Sequence, residues 1–212
     1  MSLRAKQVKG LYAIIDTSYA PLEGLEKTAS LIIEGGAKIL QLRSKGTASG
    51  QVLEACRKLR RITLDNGAIF IVNDRVDIAI ACGADGVHLG QEDIPLTDAR
   101  SLLGASAIIG VSTHNTKEAK EAEASGADYI SFGPVFPTKT KADAQSPKGL
   151  EGLKEIRKSV RLPIVAIGGV TEERLMDVLN SGADGAAIIS DILASGDIRL
   201  KVSSIVSKIG SL

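Results

Sequence analysis

Gly36-Ala37-Lys38, Gly83-Ala84-Asp85, Gly126-Ala127-Asp128 and Gly182-Ala183-Asp184 are four copies of one short motif, spaced by 47, 43 and 56 residues. Each copy follows a helix-like segment and precedes an apolar, strand-like one. Glycine suits the left-handed position that ends a helix, because it carries no Cβ to clash there. A period of about 45 residues accommodates two strand–helix units, so four copies imply eight.

The segments between the copies fit that number. Strands are predicted over 11–15, 37–42, 68–72, 85–89, 107–111, 128–132, 162–167 and 184–189. Most are short apolar runs, as parallel strands buried on both faces require. Helices are predicted over 22–35, 48–65, 75–82, 96–103, 115–125, 150–158, 171–181 and 197–209. Alternating strands and helices either close into a (β/α)8 TIM barrel or lie open as a doubly wound sheet; the fourfold repeat favours the closed barrel. Chemistry is then expected where each strand runs into its following loop.

Composition agrees with one α/β domain over 1–212, with 1–9 as an N-terminal extension. The 212 residues are 44% hydrophobic, enough for one sizeable core. Aromatics make up only 3% and Trp is absent, so Ile, Leu, Val and Ala must fill that core. A net charge of +1, with both signs spread along the chain, argues against bulk binding to nucleic acid or a membrane surface. The start MSLRAKQVKG has no apolar core of a secretory signal, and no apolar run is long enough to span a bilayer. The expectation is a cytoplasmic protein, with Cys56 and Cys82 as reduced structural thiols. A homo-oligomer is left open.

The strand ends carry the chemistry. Gln41-Leu42-Arg43-Ser44-Lys45 ends strand 2. Alternation puts Gln41, Arg43 and Lys45 on the inner face and Leu42 towards the helices. Two cations at a barrel mouth are explained by a phosphate or carboxylate, or else by a strand end fraying into solvent. Val72-Asn73-Asp74 ends strand 3 and Gly90-Gln91-Glu92-Asp93 follows strand 4. Asp74 and Asp93 read either as helix caps or as ligands of Mg²⁺, which one or two carboxylates often hold together with substrate phosphates.

Beyond strand 5 lies Val111-Ser112-Thr113-His114-Asn115, where Asn115 or Thr113 caps the next helix and leaves Ser112 inward. His114 and His88 are the only histidines, too few for a histidine zinc site. Residues 132–148 form the longest non-periodic stretch and contain Thr138-Lys139-Thr140-Lys141, hydroxyls and lysines suited to phosphate oxygens in a mobile lid or a basic loop. Gly168-Gly169 follows strand 7, with Thr171 as a helix cap, and Ile189-Ser190 follows strand 8. TIM barrels frequently bind phosphate between these last two loops. The residues thus describe two anion sites on one barrel mouth, one over strands 7 and 8 and one over strands 2 to 6 beside two carboxylates. Two phosphorylated ligands and Mg²⁺ suggest displacement of diphosphate.

These motifs, with Asp85-Gly86-Val87-His88-Leu89-Gly90-Gln91-Glu92-Asp93, Gly133-Pro134-Val135-Phe136-Pro137-Thr138-Lys139-Thr140-Lys141 and Ala166-Ile167-Gly168-Gly169, resemble those of the thiamine-phosphate synthase family over residues 10 to 209. One departure is Ser44, where the family often has Glu. The resemblance implies coupling of 4-amino-5-hydroxymethyl-2-methylpyrimidine diphosphate to 4-methyl-5-(2-hydroxyethyl)thiazole phosphate, through loss of diphosphate and capture of a carbocation by the thiazole nitrogen. It implies Asp74 and Asp93 as Mg²⁺ ligands, and Arg43, Lys45, Asn73 and Lys141 on the diphosphate. Gln41 is implied on the pyrimidine side, and Ser112 where diphosphate meets the exocyclic methylene. Thr138, Thr140, Gly169, Ile189 and Ser190 match the thiazole-phosphate site; Arg43, Lys45, Ser112 and Lys141 are the expected catalytic residues. The rivals are the related thiazole tautomerase, which uses a histidine at the position of His114, a non-catalytic regulator on the same barrel, and another phosphate isomerase or epimerase.

Overall fold

A computed structural model describes residues 8–138 and 146–210. Strands and helices alternate as far as the last strand, which two helices follow: β1 (Gly10–Asp16), α1 (Leu25–Glu34), β2 (Ile39–Arg43), α2 (Ser49–Asp65), β3 (Ile69–Asn73), α3 (Val76–Cys82), β4 (Gly86–Leu89) and α4 (Leu96–Leu103). The second half continues with β5 (Ile108–Thr113), α5 (Thr116–Ala124), β6 (Tyr129–Phe132), α6 (Gly149–Ser159), β7 (Ile164–Ala166), α7 (Leu175–Asn180), β8 (Gly185–Ile188), α8 (Ser190–Leu193) and α9 (Ile198–Gly210). All eight strands are parallel, and β8 pairs with β1 to close the barrel.

The repeat has a physical meaning at each of its letters. Gly36, Gly83, Gly126 and Gly182 all take the left-handed conformation, with φ of 102°, 66°, 88° and 103°, just beyond the ends of α1, α3, α5 and α7. The alanines bury against the helix layer. The aspartates do most. Asp85 donates its N–H to Phe70 O (2.9 Å) and accepts the Phe70 N–H on its carboxylate (2.9 Å), while Arg60 of α2 donates to the same carboxylate (2.8 Å). Asp128 repeats the arrangement with Ile109 and Arg100, and Asp184 repeats it with Ile164 and Arg157. Each bracket pins the first residues of an even strand to the odd strand before it and to an even helix. The first copy carries Lys38 and has no such carboxylate.

Two apolar layers follow from strand alternation. Leu40, Leu42, Phe70, Val72, Val87 and Leu89 face outward to the helices, which present amphipathic stripes such as Val52, Ala55, Cys56 and Leu59 of α2. Tyr12, Ile14, Ile39, Ile69, Ile71, Ile108, Tyr129, Val165 and Ala187 fill the barrel itself. Cys56 and Cys82 are free thiols.

Three details differ from the sequence reading. Val8, inside the expected extension 1–9, is buried among the barrel-filling side chains. The helix expected over 171–181 starts only at Leu175, so Thr171 caps nothing; a loop that must pass the barrel mouth occupies the intervening residues. The short α8 directly after β8 has no sequence counterpart in the expectation, because four residues are too few to show a period.

We predict that Asp128→Ala lowers unfolding free energy by about 3 kcal/mol, since it strips a buried carboxylate from Arg100 and from a backbone N–H. Asp184, whose side chain is 43% exposed, should cost only about 1 kcal/mol on the same change. Urea denaturation of both variants checks the ranking, and equal losses would contradict it.

Candidate active site

At the end of the barrel opposite the aspartate brackets, the strands open into a cleft of about 660 Å³, within the range of small-molecule sites. Arg43, Lys45, Asn73, Asp74, Asp93 and Ser112 border one side of it. Thr138, Gly169, Ile189 and Ser190 border the other. Gln41 lies deeper and is 2% exposed, lining a small cavity beneath the cleft with Tyr12, His88 and Tyr129. Thr140 and Lys141 lie outside the described residues, as does most of the lysine-bearing part of the 132–148 loop.

Arg43 owes its position to Asp16, at the end of β1. The Arg43 guanidinium donates to Asp16 Oδ2 at 2.6 Å, and Asp16 Oδ1 accepts from the Ser18 N–H (2.9 Å) and hydroxyl (2.7 Å). Asp16 is buried, so the pair is a charge-assisted contact in a low-dielectric setting. One of the five guanidinium N–H groups is thereby used, and others remain to meet an anion. Sequence reading passed over Asp16; its signal was an acidic residue directly after the apolar run 11–15.

Asp74 is the one non-glycine residue with a left-handed backbone among those described, at φ 61°. That conformation is costly for a residue with a Cβ and persists where surrounding structure imposes it. Here the Asp74 N–H is held by His88 O at 2.8 Å. Its carboxylate pairs with Lys45 and meets the carboxyl of Asp93. Burial pushes the Asp93 carboxyl up; the Gly90 N–H, donating to it at 2.6 Å, acts against that, and the neighbouring Asp74 acts with it. Neither aspartate caps a helix: the N-cap positions of α3 and α4 are Arg75 and Pro95, with no side-chain cap. Asn115 does cap α5, accepting the Glu118 N–H at 3.0 Å, while Glu118 reaches back to His114 N (2.7 Å) and His114 Nδ1 (2.9 Å). This local capping arrangement gives His114 a structural partner.

The opposite side is built from loops. Val135 and Phe136 donate backbone N–H groups to Ile167 O and Gly168 O, both at 2.9 Å, so the start of the β6 loop lies along the end of β7. Gly168 and Gly169 are left-handed, with φ of 91° and 63°. A Cβ on Gly169 would stand 2.5 Å from Pro137 O, so packing beneath this loop already demands glycine. Thr171 Oγ1, bordering the cleft, is buried and has no hydrogen-bond partner among the described residues. Behind the loops, Glu172 accepts from Lys201 (3.0 Å), Ser204 (2.6 Å) and Lys208 (2.7 Å) of α9. Lys208, then Ser204 and Lys201, hold its carboxyl down to about 2. Asp191 accepts the Glu172 N–H at 2.9 Å and also pairs with Lys201. This latch ties the β7 and β8 loops to one another.

No cluster of three or more His, Cys, Asp or Glu side chains suited to a metal occurs among the described residues, and no helix among them is long and apolar enough to cross a membrane. The cleft is hydroxyl-rich, and among the described residues its charged lining is two cations, Arg43 and Lys45, with four carboxylates, Asp74, Glu92, Asp93 and Glu118.

Comparison with known proteins gives this pocket a lineage. Residues 11–192 match the model of a family described as thiamine monophosphate synthase. A thiamine-phosphate synthase of Moorella thermoacetica is 47% identical over 191 residues, covering 89% of this chain and 90% of the relative. One from Methanoculleus marisnigri is 43% identical over 201 residues, covering 95% of each. The solved structure of a thiamine phosphate pyrophosphorylase from Pyrococcus furiosus superposes with a TM-score of 0.87 at 40% identity, covering 98% of this chain and 99% of that one. On its motifs, its closed barrel and these relatives alike, the chain belongs to the thiamine monophosphate synthase family.

Proposed function

We propose that the chain couples 4-amino-5-hydroxymethyl-2-methylpyrimidine diphosphate to 4-methyl-5-(2-hydroxyethyl)thiazole phosphate, giving thiamine phosphate and diphosphate. The observation that carries this reading is a single cleft with two separate places for an anion. Arg43, Lys45 and Asn73 stand on one side; the Gly168-Gly169 turn, Thr171 and Ser190 stand on the other. A reaction on one monophosphate would need only one of them. The histidine that a tautomerase would use is engaged with Glu118.

In this reading the C–O bond to diphosphate breaks first and its electron pair leaves with the diphosphate. Arg43, Lys45 and Lys141 neutralise the charge that grows on the leaving oxygens, where preplaced cations lower a barrier most. Asn73 and Ser112 hydrogen-bond the same group. The walls of the cleft keep water from the pyrimidine-stabilised cation until the lone pair of the thiazole nitrogen closes the C–N bond. Thr138, Thr140, Gly169, Ile189 and Ser190 hold the thiazole phosphate, and Gln41 meets the pyrimidine from below.

The residues also fit a hard divalent cation. Two carboxylates that meet across separate loops repel one another, and Asp74 and Asp93 do so beside the proposed diphosphate site. They would hold Mg²⁺ together with diphosphate oxygens, since two carboxylates cannot complete an octahedron. Mg²⁺ bound there supplies charge neutralisation of the departing diphosphate. Two free phosphorylated metabolites as substrates support a cytoplasmic location.

Incubating the protein with both substrates and Mg²⁺ should yield thiamine phosphate and diphosphate, read by mass spectrometry; absence of both products would overturn the assignment. Asp93→Asn should raise the Mg²⁺ concentration for half-maximal rate roughly tenfold, the equivalent of about 1.4 kcal/mol. Thiazole-phosphate binding, followed by calorimetry, should stay unchanged, and superimposable Mg²⁺ curves would remove Asp93 from the metal. Asp74→Gly separates stability from function. Relief of the left-handed backbone should leave the protein as stable or more stable by about 1 kcal/mol, while turnover falls at least roughly tenfold. A variant both less stable and fully active would contradict the role given to Asp74.

A further inference from the structure

Beneath the cleft a continuous hydrogen-bonded chain crosses the barrel interior. Gln41 Nε2 donates to Tyr12 Oη at 2.8 Å, and Tyr12 Oη meets Tyr129 Oη at 2.7 Å. Tyr129 Oη meets His88 Nδ1 at 2.9 Å. On the far side of the imidazole, His88 Nε2 meets Ser112 Oγ at 3.0 Å and Ser131 Oγ at 3.2 Å, and the Ser131 hydroxyl donates to Ser112 Oγ at 3.5 Å. The strands place these groups side by side: register pairs His88 with Gly110 and Gly110 with Tyr129. A Cβ on Gly110 would lie 2.0 Å from the Tyr129 ring, so this glycine makes the room that lets the phenol reach the imidazole.

The direction of the chain follows from counting protons. An amide NH₂ can only donate. Tyr12 Oη therefore accepts from Gln41, and its own proton is turned to Tyr129, the acceptor that spares a buried donor from going unpaired. Burial pushes both phenols well above their ordinary range, so each keeps that proton. Tyr129 in turn donates to His88 Nδ1, which leaves the neutral imidazole with its proton on Nε2. That N–H points at Ser112 Oγ, which also accepts from Ser131. With both lone pairs engaged, the Ser112 hydroxyl can act only as a donor, and it borders the cleft.

We propose that the buried chain from Gln41 to Ser112 runs in one direction only, and that His88, with Tyr12 and Tyr129, is a positioning residue that turns the Ser112 proton towards bound ligand. The opposite direction would require either a Gln41 carbonyl at Tyr12 or a buried Tyr12 proton left without an acceptor, together with an Nδ1–H imidazole and a Ser112 proton turned inward, away from the cleft. The polarity rests on the structure alone; only what Ser112 donates to, an oxygen of the leaving diphosphate, rests on the coupling reaction proposed above. Gln41, with one amide N–H committed to Tyr12, is held in one orientation that leaves its carbonyl oxygen and second N–H for the pyrimidine, so one chain orients groups at both ends of the substrate.

Two measurements test this. The first needs no turnover. Long-range ¹H–¹⁵N correlation spectra of the unaltered protein report the tautomer of each imidazole, and His114→Gln assigns the two signal sets. The proposal requires His88 as the neutral Nε2–H form; an Nδ1–H, averaged or doubly protonated ring overturns it, whatever reaction the protein runs. The second is a cycle of Tyr129→Phe and Ser112→Ala in the coupling assay. Tyr129→Phe keeps the ring and cuts the chain, and should lower kcat roughly tenfold with KM for thiazole phosphate unchanged. In the Ser112→Ala background the same change should cost less than about twofold, because its effect passes through Ser112. Equal losses in the two backgrounds would mean that Tyr129 serves packing alone. A wild type that makes no thiamine phosphate would sink the coupling reading, while the spectra would still decide the polarity.

Discussion

Closing eight parallel strands into a barrel demands that every neighbouring pair hold one register, because a slip of one residue would exchange the inward and outward sets. The carboxylates of Asp85, Asp128 and Asp184 meet this demand at the strand starts of three pairs, β3–β4, β5–β6 and β7–β8. Each joins an even strand to the odd strand before it through a pair of bonds to one residue, and recruits an arginine from the helix that precedes that odd strand. All the rest depends on that register. It sets His88 beside Gly110 and Gly110 beside Tyr129, and it brings Asn73 level with His88. The ends of β2, β3 and β5 then deliver Arg43, Asn73 and Ser112 to one cleft.

The two ends of the barrel carry opposite kinds of order. At the bracketed end, charges are paired and backbone groups are satisfied locally. At the cleft end, Asp74 holds a left-handed backbone, two carboxyls face one another, and Thr171 has a buried hydroxyl without a partner among the described residues. Such features lower stability on their own and persist because the scaffold around them is over-determined. The Glu172 latch to α9 serves that purpose for the β7 and β8 loops, since it binds the C-terminal helix to segments that otherwise have little helix beneath them.

Inside the barrel, a chain with few aromatics spends two of its three tyrosines on a buried polar network. A hydrogen-bonded network in a low-dielectric interior is favourable only when every member has a partner. The Gln41–Tyr12–Tyr129–His88 chain meets that condition, and Gly110 supplies the space for it.

By itself the sequence determined the eight-unit barrel, because left-handed glycines after helices and apolar runs before polar strand ends are local signals. Alternation also put Gln41 and Arg43 on the inner face, and the end of strand 5 put Ser112 inward, whereas that Gln41 lies beneath the cleft and Arg43, Asn73 and Ser112 border it was not legible. The cap-or-ligand choice at Asp74 and Asp93 stayed open, since both readings use an aspartate just past a strand. Only the tertiary structure removed the cap reading, because α3 and α4 begin without a side-chain cap and Asp93 takes the Gly90 N–H instead. Asp16 was invisible as a partner for Arg43, being 27 residues away in the chain. The Tyr12–Tyr129 contact joins residues 117 apart. The aspartates of the repeat could be seen, but not what they hold. Contacts of this kind arise only when the sheet closes and strands remote in sequence become neighbours, and no local periodicity records which side chains will then meet.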